Sequence, residues 1–204
     1  SGNDTLVISS ITDSAGAGHT QWVVQNAAGV TITGNNPLYY GSSRSQIAAT
    51  LQAADNRFFL QNALANSSFV NQLEVRNFEN WSVLAGSGDY DLLIARGPGG
   101  TYRGGAGVDA LYADWSSAST DISWINDPSL DQTVNGTLLA GIERMVISTG
   151  SGNDVIDNTN PLADGGNDDI DTGAGNDVVN AGKGNDIINT GAGNDVVAGG
   201  GGSD

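Results

Sequence analysis

The stretch TGAGNDVVNAGKGNDIINTGAGNDVVA, residues 172–198, falls into three copies when cut every nine residues: TGAGNDVVN, AGKGNDIIN and TGAGNDVVA. Each copy carries glycine at its second and fourth positions, Asn-Asp at its fifth and sixth, and aliphatics at its seventh and eighth. Adjacent copies without drift in spacing mark a solenoid, in which one copy is one rung and buries its apolar side chain only against neighbouring rungs. The frame extends to TGSGNDVID at 149–157 and ADGGNDDID at 163–171, and a cut rung runs from Gly199 to Asp204. NTNPL at 158–162 interrupts the frame once. Because the frame resumes in phase, this insertion reads as a surface loop that keeps Pro161 out of a ladder position. Each rung is a glycine-rich turn followed by a three-residue strand.

The first 148 residues carry the same pattern in diluted form: SGNDTLV opens the chain, AGSGDYDLLI occupies 85–94 with one residue inserted, and GGAGVDALY occupies 104–112. A longer alignment places NFENWSVLAGSGDYDLL (77–93) on GIERMVISTGSGNDVI (141–156), with Glu79 on Glu143 and Gly86 on Gly150. In that alignment both glutamates fasten a strand to a turn through backbone hydrogen bonds. The alternating stretches HTQWVVQN and TDISWIND read as longer strands. Residues 43–64 break the β pattern, because Ile47, Leu51, Ala54 and Phe58 fall at helical spacing, and one amphipathic helix packed on the solenoid is expected there. The fold class is all-β, with an elaborated unit at 1–84, a diluted unit at 85–148 and regular rungs at 149–204, or one continuous solenoid through all three.

Composition narrows the partners. The 204 residues carry 23 acidic against 7 basic side chains, for a net charge of −16, and Lys183 is the only lysine. With no basic patch to neutralise phosphates, nucleic acid is excluded as a partner. Asp outnumbers Glu by 20 to 3. Short Asp beside Gly suits turns that aim carboxylates at a common point, so cations are the implied partner. Without cysteine, disulfides and thiolate metal sites are excluded, and with His19 as the only histidine neither a histidine-based triad nor a multi-histidine zinc site can be assembled. No apolar run approaches a membrane span or a signal peptide. The chain opens and stops inside motifs, which reads as a piece of something longer.

The nine-residue rungs resemble the RTX (repeats-in-toxin, haemolysin-type) calcium-binding nonapeptide repeat, closely over 149–204 and loosely at three earlier places. That resemblance implies a parallel β-roll in which two rungs make one turn and calcium sits between turns on the same edge. Same-edge neighbours are then eighteen residues apart, which pairs Asp168 with Asp186, Asp177 with Asp195, Asp186 with Asp204, and Asp91 with Asp109. The implied ligands are Asp4, Asp91, Asp109, Asp154, Asp168, Asp177, Asp186, Asp195 and Asp204, with turn carbonyls at Gly173, Gly175, Gly182, Gly184, Gly191 and Gly193. Physical chemistry supports this choice of ion: calcium takes ~6–8 oxygen ligands from carboxylates and carbonyls, and glycine lets the carbonyls approach. In the turn lengthened by one residue, Asp91 rather than Asp89 is expected to face the ion while Tyr90 bulges outward. Asp157, Asp169 and Asp171 occupy outward strand positions and read as solvated surface charge.

One aliphatic per rung is too little burial to order nine residues, and 149–204 holds ten Asp against one Lys. Calcium-dependent folding of this segment follows. The resemblance further implies type I secretion and an extracellular or cell-surface location. A non-enzymatic scaffold, spacer or adhesion module is the first reading. Part of a carbohydrate-active β-helix enzyme is the second, with Arg96 and Arg103 as cations for an acidic glycan. Self-association into a surface layer, through outward apolar residues such as Val155, Val178, Ile187 and Val196, is the third. Carbohydrate and cell-surface components are accordingly candidate partners beside calcium.

Overall fold

Short strands separated by turns of fixed length stack in register, because period-2 alternation sends one residue of each triplet inward and glycine allows the sharp corner after it. The computed structural model describes residues 5–11, 19–25, 41–51, 57–63, 69–75, 80–85, 90–95, 97–163 and 166–204. One face of the solenoid is a parallel sheet of Leu92–Ala95, Ala110–Asp114, Arg144–Ser148, Asp169–Asp171 and Ile187–Asn189. A second face stacks Ser123–Ile125, Val155–Asp157, Val178–Lys183 and Val196–Gly201, also in parallel. A third face joins Thr5–Ile11, Asn80–Ala85, Thr101–Arg103 and Thr137–Ala140 in parallel and ends on the antiparallel strand Gln132–Val134.

The coil that runs through Ala110–Asp114, Ser123–Ile125 and Thr137–Ala140 is therefore three-sided, whereas the rungs from Asp169 onward alternate between two faces only, as a β-roll does. The insertion at 158–162 lies where the roll sheds its third side, and Pro161–Ala163 forms a short 3-10 turn outside the sheets. Arg144–Ser148 pairs with Ala110–Asp114 on one side and Asp169–Asp171 on the other, so the sheet runs without interruption across residue 148.

Eighth-position side chains form the inward columns. Ile147, Ile170 and Ile188 stack on the first face, and Trp124, Ile156, Val179 and Val197 on the second. The wide coils are filled by Trp115, Trp124 and Tyr102, all buried, with the two indoles 6.3 Å apart between centroids and tilted by 60°. Along the axis the column shrinks from Trp124 to valine, and Val197 in the last coil is 48% exposed. Apolar burial thus declines toward the carboxyl terminus.

Three expectations are corrected. The helix is described over Arg44–Leu51, Ala54 lies outside the described residues, and Phe58 lies in the strand Arg57–Ala63, which pairs antiparallel with His19–Gln25 and Phe69–Val75. The aromatic and aliphatic run Phe58-Phe59-Leu60 favours a strand, and ladder hydrogen bonds from two neighbours outweigh the helical spacing. The long internal alignment is also out of register: Asn80–Ala85 belongs to the third face and Arg144–Ser148 to the first, while Glu79 itself lies outside the described residues. Both segments share a strand-turn pattern, which the alignment could not assign to a face. Lastly, Asp169 and Asp171 are not solvated. The Arg44 backbone N–H donates to Asp169 Oδ2 at 2.9 Å, its Nε to Asp169 Oδ1 at 3.1 Å, and its Nη1 to Ser148 Oγ at 2.9 Å and to Asp171. With Ile47 fully buried beside it, Arg44 pins the helix to the outer surface of the first face. Asp169 is the one acidic residue at the seventh position of any rung, where the others carry Val or Ile.

Replacing Arg44 by methionine keeps the backbone N–H but removes the guanidinium from the buried Asp169 carboxylate and should lower stability in calcium by about 1–3 kcal/mol. Arg103→Met, which breaks the exposed pair with Asp131, should leave the denaturation midpoint unchanged. Equilibrium denaturation of both variants checks the contrast.

Candidate metal-binding edges

Each rung presents its Asn-Asp pair at a corner of the coil, and both side chains bond along the solenoid axis. On the edge leading from the first face to the second, Asp154 Oδ1 accepts the N–H of Ile122 at 2.8 Å, Asp177 Oδ1 that of Asp154 at 2.8 Å, and Asp195 Oδ1 that of Asp177 at 3.0 Å. On the returning edge, Asp168 Oδ1 accepts from Met145 at 2.7 Å, Asp186 Oδ1 from Asp168 at 2.8 Å, and Asp204 Oδ1 from Asp186 at 3.1 Å. The preceding asparagines form an outer ladder of opposite direction: the N–H groups of Asn176, Asn194, Asn185 and Ser203 donate back to Asn153, Asn176, Asn167 and Asn185 at 2.8–2.9 Å. Consecutive residues thus bond to opposite neighbours, which explains the Asn-Asp dipeptide.

In the diluted unit Asp109 Oδ1 accepts the N–H of Asp91 at 2.9 Å, a separation of 18 residues, and Glu143 Oε2 accepts that of Asp109 at 2.7 Å, a separation of 34. All three carboxyls are buried, and Tyr90 beside Asp91 is 43% exposed. Glu143 occupies the slot that an aspartate fills elsewhere. Asp4 and Asp89 lie outside the described residues.

The turn carbonyls are packed one above another. A Cβ on Gly193 would lie 1.5 Å from the carbonyl oxygen of Gly175, and one on Gly202 would lie 1.6 Å from that of Gly184; both glycines have positive φ, 153° and 149°. The carbonyls of Gly173 and Gly182 stand in the same relation to Gly191 and Gly200, while Gly191 and Gly193 themselves belong to the terminal coil. Only glycine permits this approach of backbone oxygens.

These edges fit a hard cation. Asp177 Oδ2, Asp186 Oδ2 and Asp109 Oδ2 are buried without a hydrogen-bond partner, a costly arrangement for a carboxylate. Among the described residues no three Asp, Glu, His or Cys side chains converge on one point. A cation here takes few carboxylates and completes its shell with carbonyls, as calcium does. Asp154 and Asp168 differ, because their second oxygens accept from Thr149 Oγ1 and from Asn158 Nδ2 at 2.8 Å. Asn158 is itself held by Asn126, whose Nδ2 donates to Asn158 Oδ1 at 2.8 Å. Sequence reading missed Thr149, Asn126 and Asn158, for which the shared two-residue offset of the two asparagines from Trp124 and Ile156 was the available signal; Glu143, expected to bond backbone at a turn, accepts the Asp109 N–H.

A family model for the RTX calcium-binding nonapeptide repeat, in four copies, matches residues 162–179 and 172–204. The carboxyl-terminal region consists of RTX repeats. No curated protein and no solved structure matches the chain. RTX repeats typically bind calcium and are typical of extracellular proteins exported by type I systems. The RTX rungs at 163–204 continue the same ladder as TGSGNDVID at 149–157, which lies just ahead of the match.

Burial raises the Asp109 pKa from 3.8 to about 8, that of Asp168 from 3.8 to about 7 and that of Glu143 from 4.5 to about 6. A carboxyl with a raised folded value holds its proton more tightly folded than unfolded. Its contribution is present in full below the unfolded value and is lost as the pH rises through the folded one. In chelator the thermal midpoint should therefore fall from pH 5 to pH 8, while calcium affinity rises over the same range because protons compete with the ion for the unpartnered Asp109 oxygen. Thermal unfolding followed by circular dichroism, with and without calcium, tests both signs.

Proposed function

We propose that the chain is a calcium-loaded solenoid module of an extracellular protein that orders its RTX rungs after export and serves as scaffold, spacer or adhesion element. The observation that carries this reading is the pair of carboxylate ladders whose second oxygens at Asp177 and Asp186 are buried and unpartnered. Low calcium inside the cell leaves these rungs without their counter-charge, and calcium outside supplies it. A non-enzymatic role is supported by the way the buried acids are used: Asp109, Asp154, Asp168, Asp177, Asp186 and Glu143 all accept backbone N–H groups of a neighbouring coil. On this reading several ions bind, at least one per edge. Self-association is a second reading, favoured by Ile187 and Val196, which are 61% and 62% exposed on the outer surfaces of the two faces.

Calcium at millimolar concentration should increase β-sheet ellipticity cooperatively, and magnesium at equal concentration should not, because it holds its water and demands near-octahedral geometry. Circular dichroism titrations check this, and equal rescue by magnesium contradicts the ligand set. Sedimentation in calcium across a range of protein concentrations separates the monomeric module from the self-associating one.

A further inference from the structure

The two ladders begin alike and differ from their continuations in one respect. At the first repeat-region carboxylate of each edge, the second oxygen is already bonded by the protein: Asp154 by the Thr149 hydroxyl, Asp168 by the Asn158 amide. At the next carboxylate of each edge, Asp177 and Asp186, that oxygen has no partner. Further fixed donors surround the first positions. Arg144, buried, donates Nε to the Asn167 carbonyl at 2.6 Å, and its Cα and Cβ lie where a Cβ on Gly166 would fall, 2.9 and 2.7 Å away. Asn158 Nδ2 also donates to the Glu143 carbonyl at 3.0 Å, and Asn126 Nδ2 to that of Ile142 at 2.7 Å. Arg44 clamps Asp169 and Asp171 from outside.

We infer that Thr149, Asn158 and Arg144 do for Asp154 and Asp168 what calcium does further along, so that the segment from Arg144 to Asp171 forms a template for the repeat region that needs no metal at its own corners, and the calcium-dependent rungs start at Asp177 and Asp186; the unpartnered Asp109 oxygen belongs to the coil before this segment. This rests on the calcium reading above and moves its boundary: not all of 149–204 waits for the ion. A neutral hydroxyl, a neutral amide and one guanidinium are permanent, whereas beyond Asp171 the chain offers Lys183 as its only cation. The apolar core agrees with this division. Trp115, Trp124, Ile147, Ile156 and Ile170 are sealed; beyond Asp171 only the smaller Val179 and Ala181 are, while Ile188 is partly buried and Val197 is half exposed. The last two coils have the least apolar burial and the unpartnered carboxylates together, so they are the coils that cannot hold without a bound cation. Calcium then adds coils to a preformed end, from the amino-terminal side outward, and the template fixes their register.

Hydrogen exchange on the full chain tests this. In chelator the amides of Arg144–Ser148 and Val155–Asp157 should exchange slower than those of Val178–Lys183 and Val196–Gly201 by roughly two orders of magnitude or more, and calcium should protect the latter two strands. In T149V, which removes the hydroxyl at nearly constant volume, Val155–Asp157 should lose that protection in chelator and regain it in calcium. Equal exchange of all four strands in wild-type chelated protein, with recovery in calcium, overturns the template and leaves the calcium reading standing. Wild-type chelator protection of Val155–Asp157 in T149V also overturns it. Calcium that protects neither Val178–Lys183 nor Val196–Gly201 overturns the calcium reading itself.

Discussion

A carboxylate oxygen accepting the backbone N–H of the equivalent residue one coil away is the interaction on which this structure depends. It fixes the spacing of the coils at each corner, holds adjacent strands in register, and consumes one oxygen of every ladder aspartate. What remains is a line of second oxygens inside the corner. A buried carboxylate with one unpaired oxygen and others like it nearby is unfavourable unless a donor or a cation meets it. The chemistry of the molecule follows from how each corner answers that demand.

Two answers are visible. The first corners of the repeat region, at Asp154 and Asp168, use protein donors: a threonine hydroxyl, a pair of stacked asparagine amides and a buried arginine. Such donors belong to particular residues and cannot be repeated every nine positions without losing the simple rung. The later corners keep the rung simple and leave the demand to an external ion, for which stacked glycine carbonyls supply the additional oxygens. A short repeat and a need for calcium are therefore two aspects of one economy of sequence, and the decline of apolar burial toward Val197 makes the need acute.

The outer surface shows the same division. The first face is buried on both sides along Leu92–Ala95 and Ala110–Ala113, and its outer side receives the helix through Arg44 at Asp169 and Asp171. One strand further along, Ile187 is open to solvent. The rung that departs from the repeat at its seventh position, with Asp169 in place of Val or Ile, is the one that the helix touches. A departure from a repeat thus marked a contact, although nothing in the rung itself said which distant residue would meet it.

The sequence by itself determined the nine-residue rung, its turn-then-strand order and the inward aliphatic at position eight, because these depend on residues close together and repeated; the eighteen-residue stacking of its aspartates followed from the RTX resemblance. It also determined that any bound metal must be met by oxygen, since cysteine is absent and His19 stands alone. Tertiary structure alone decided that the early coils have a third face, that Phe58 lies in a strand, that Glu143 takes the place of a rung aspartate, and that Arg44 meets carboxylates 125 and 127 residues away. The physical reason is range. Turn geometry and strand alternation are set by neighbours in the chain, whereas the choice between a hydroxyl, an amide, a guanidinium and an external cation as partner for a buried oxygen is made by whatever the fold brings to the same corner.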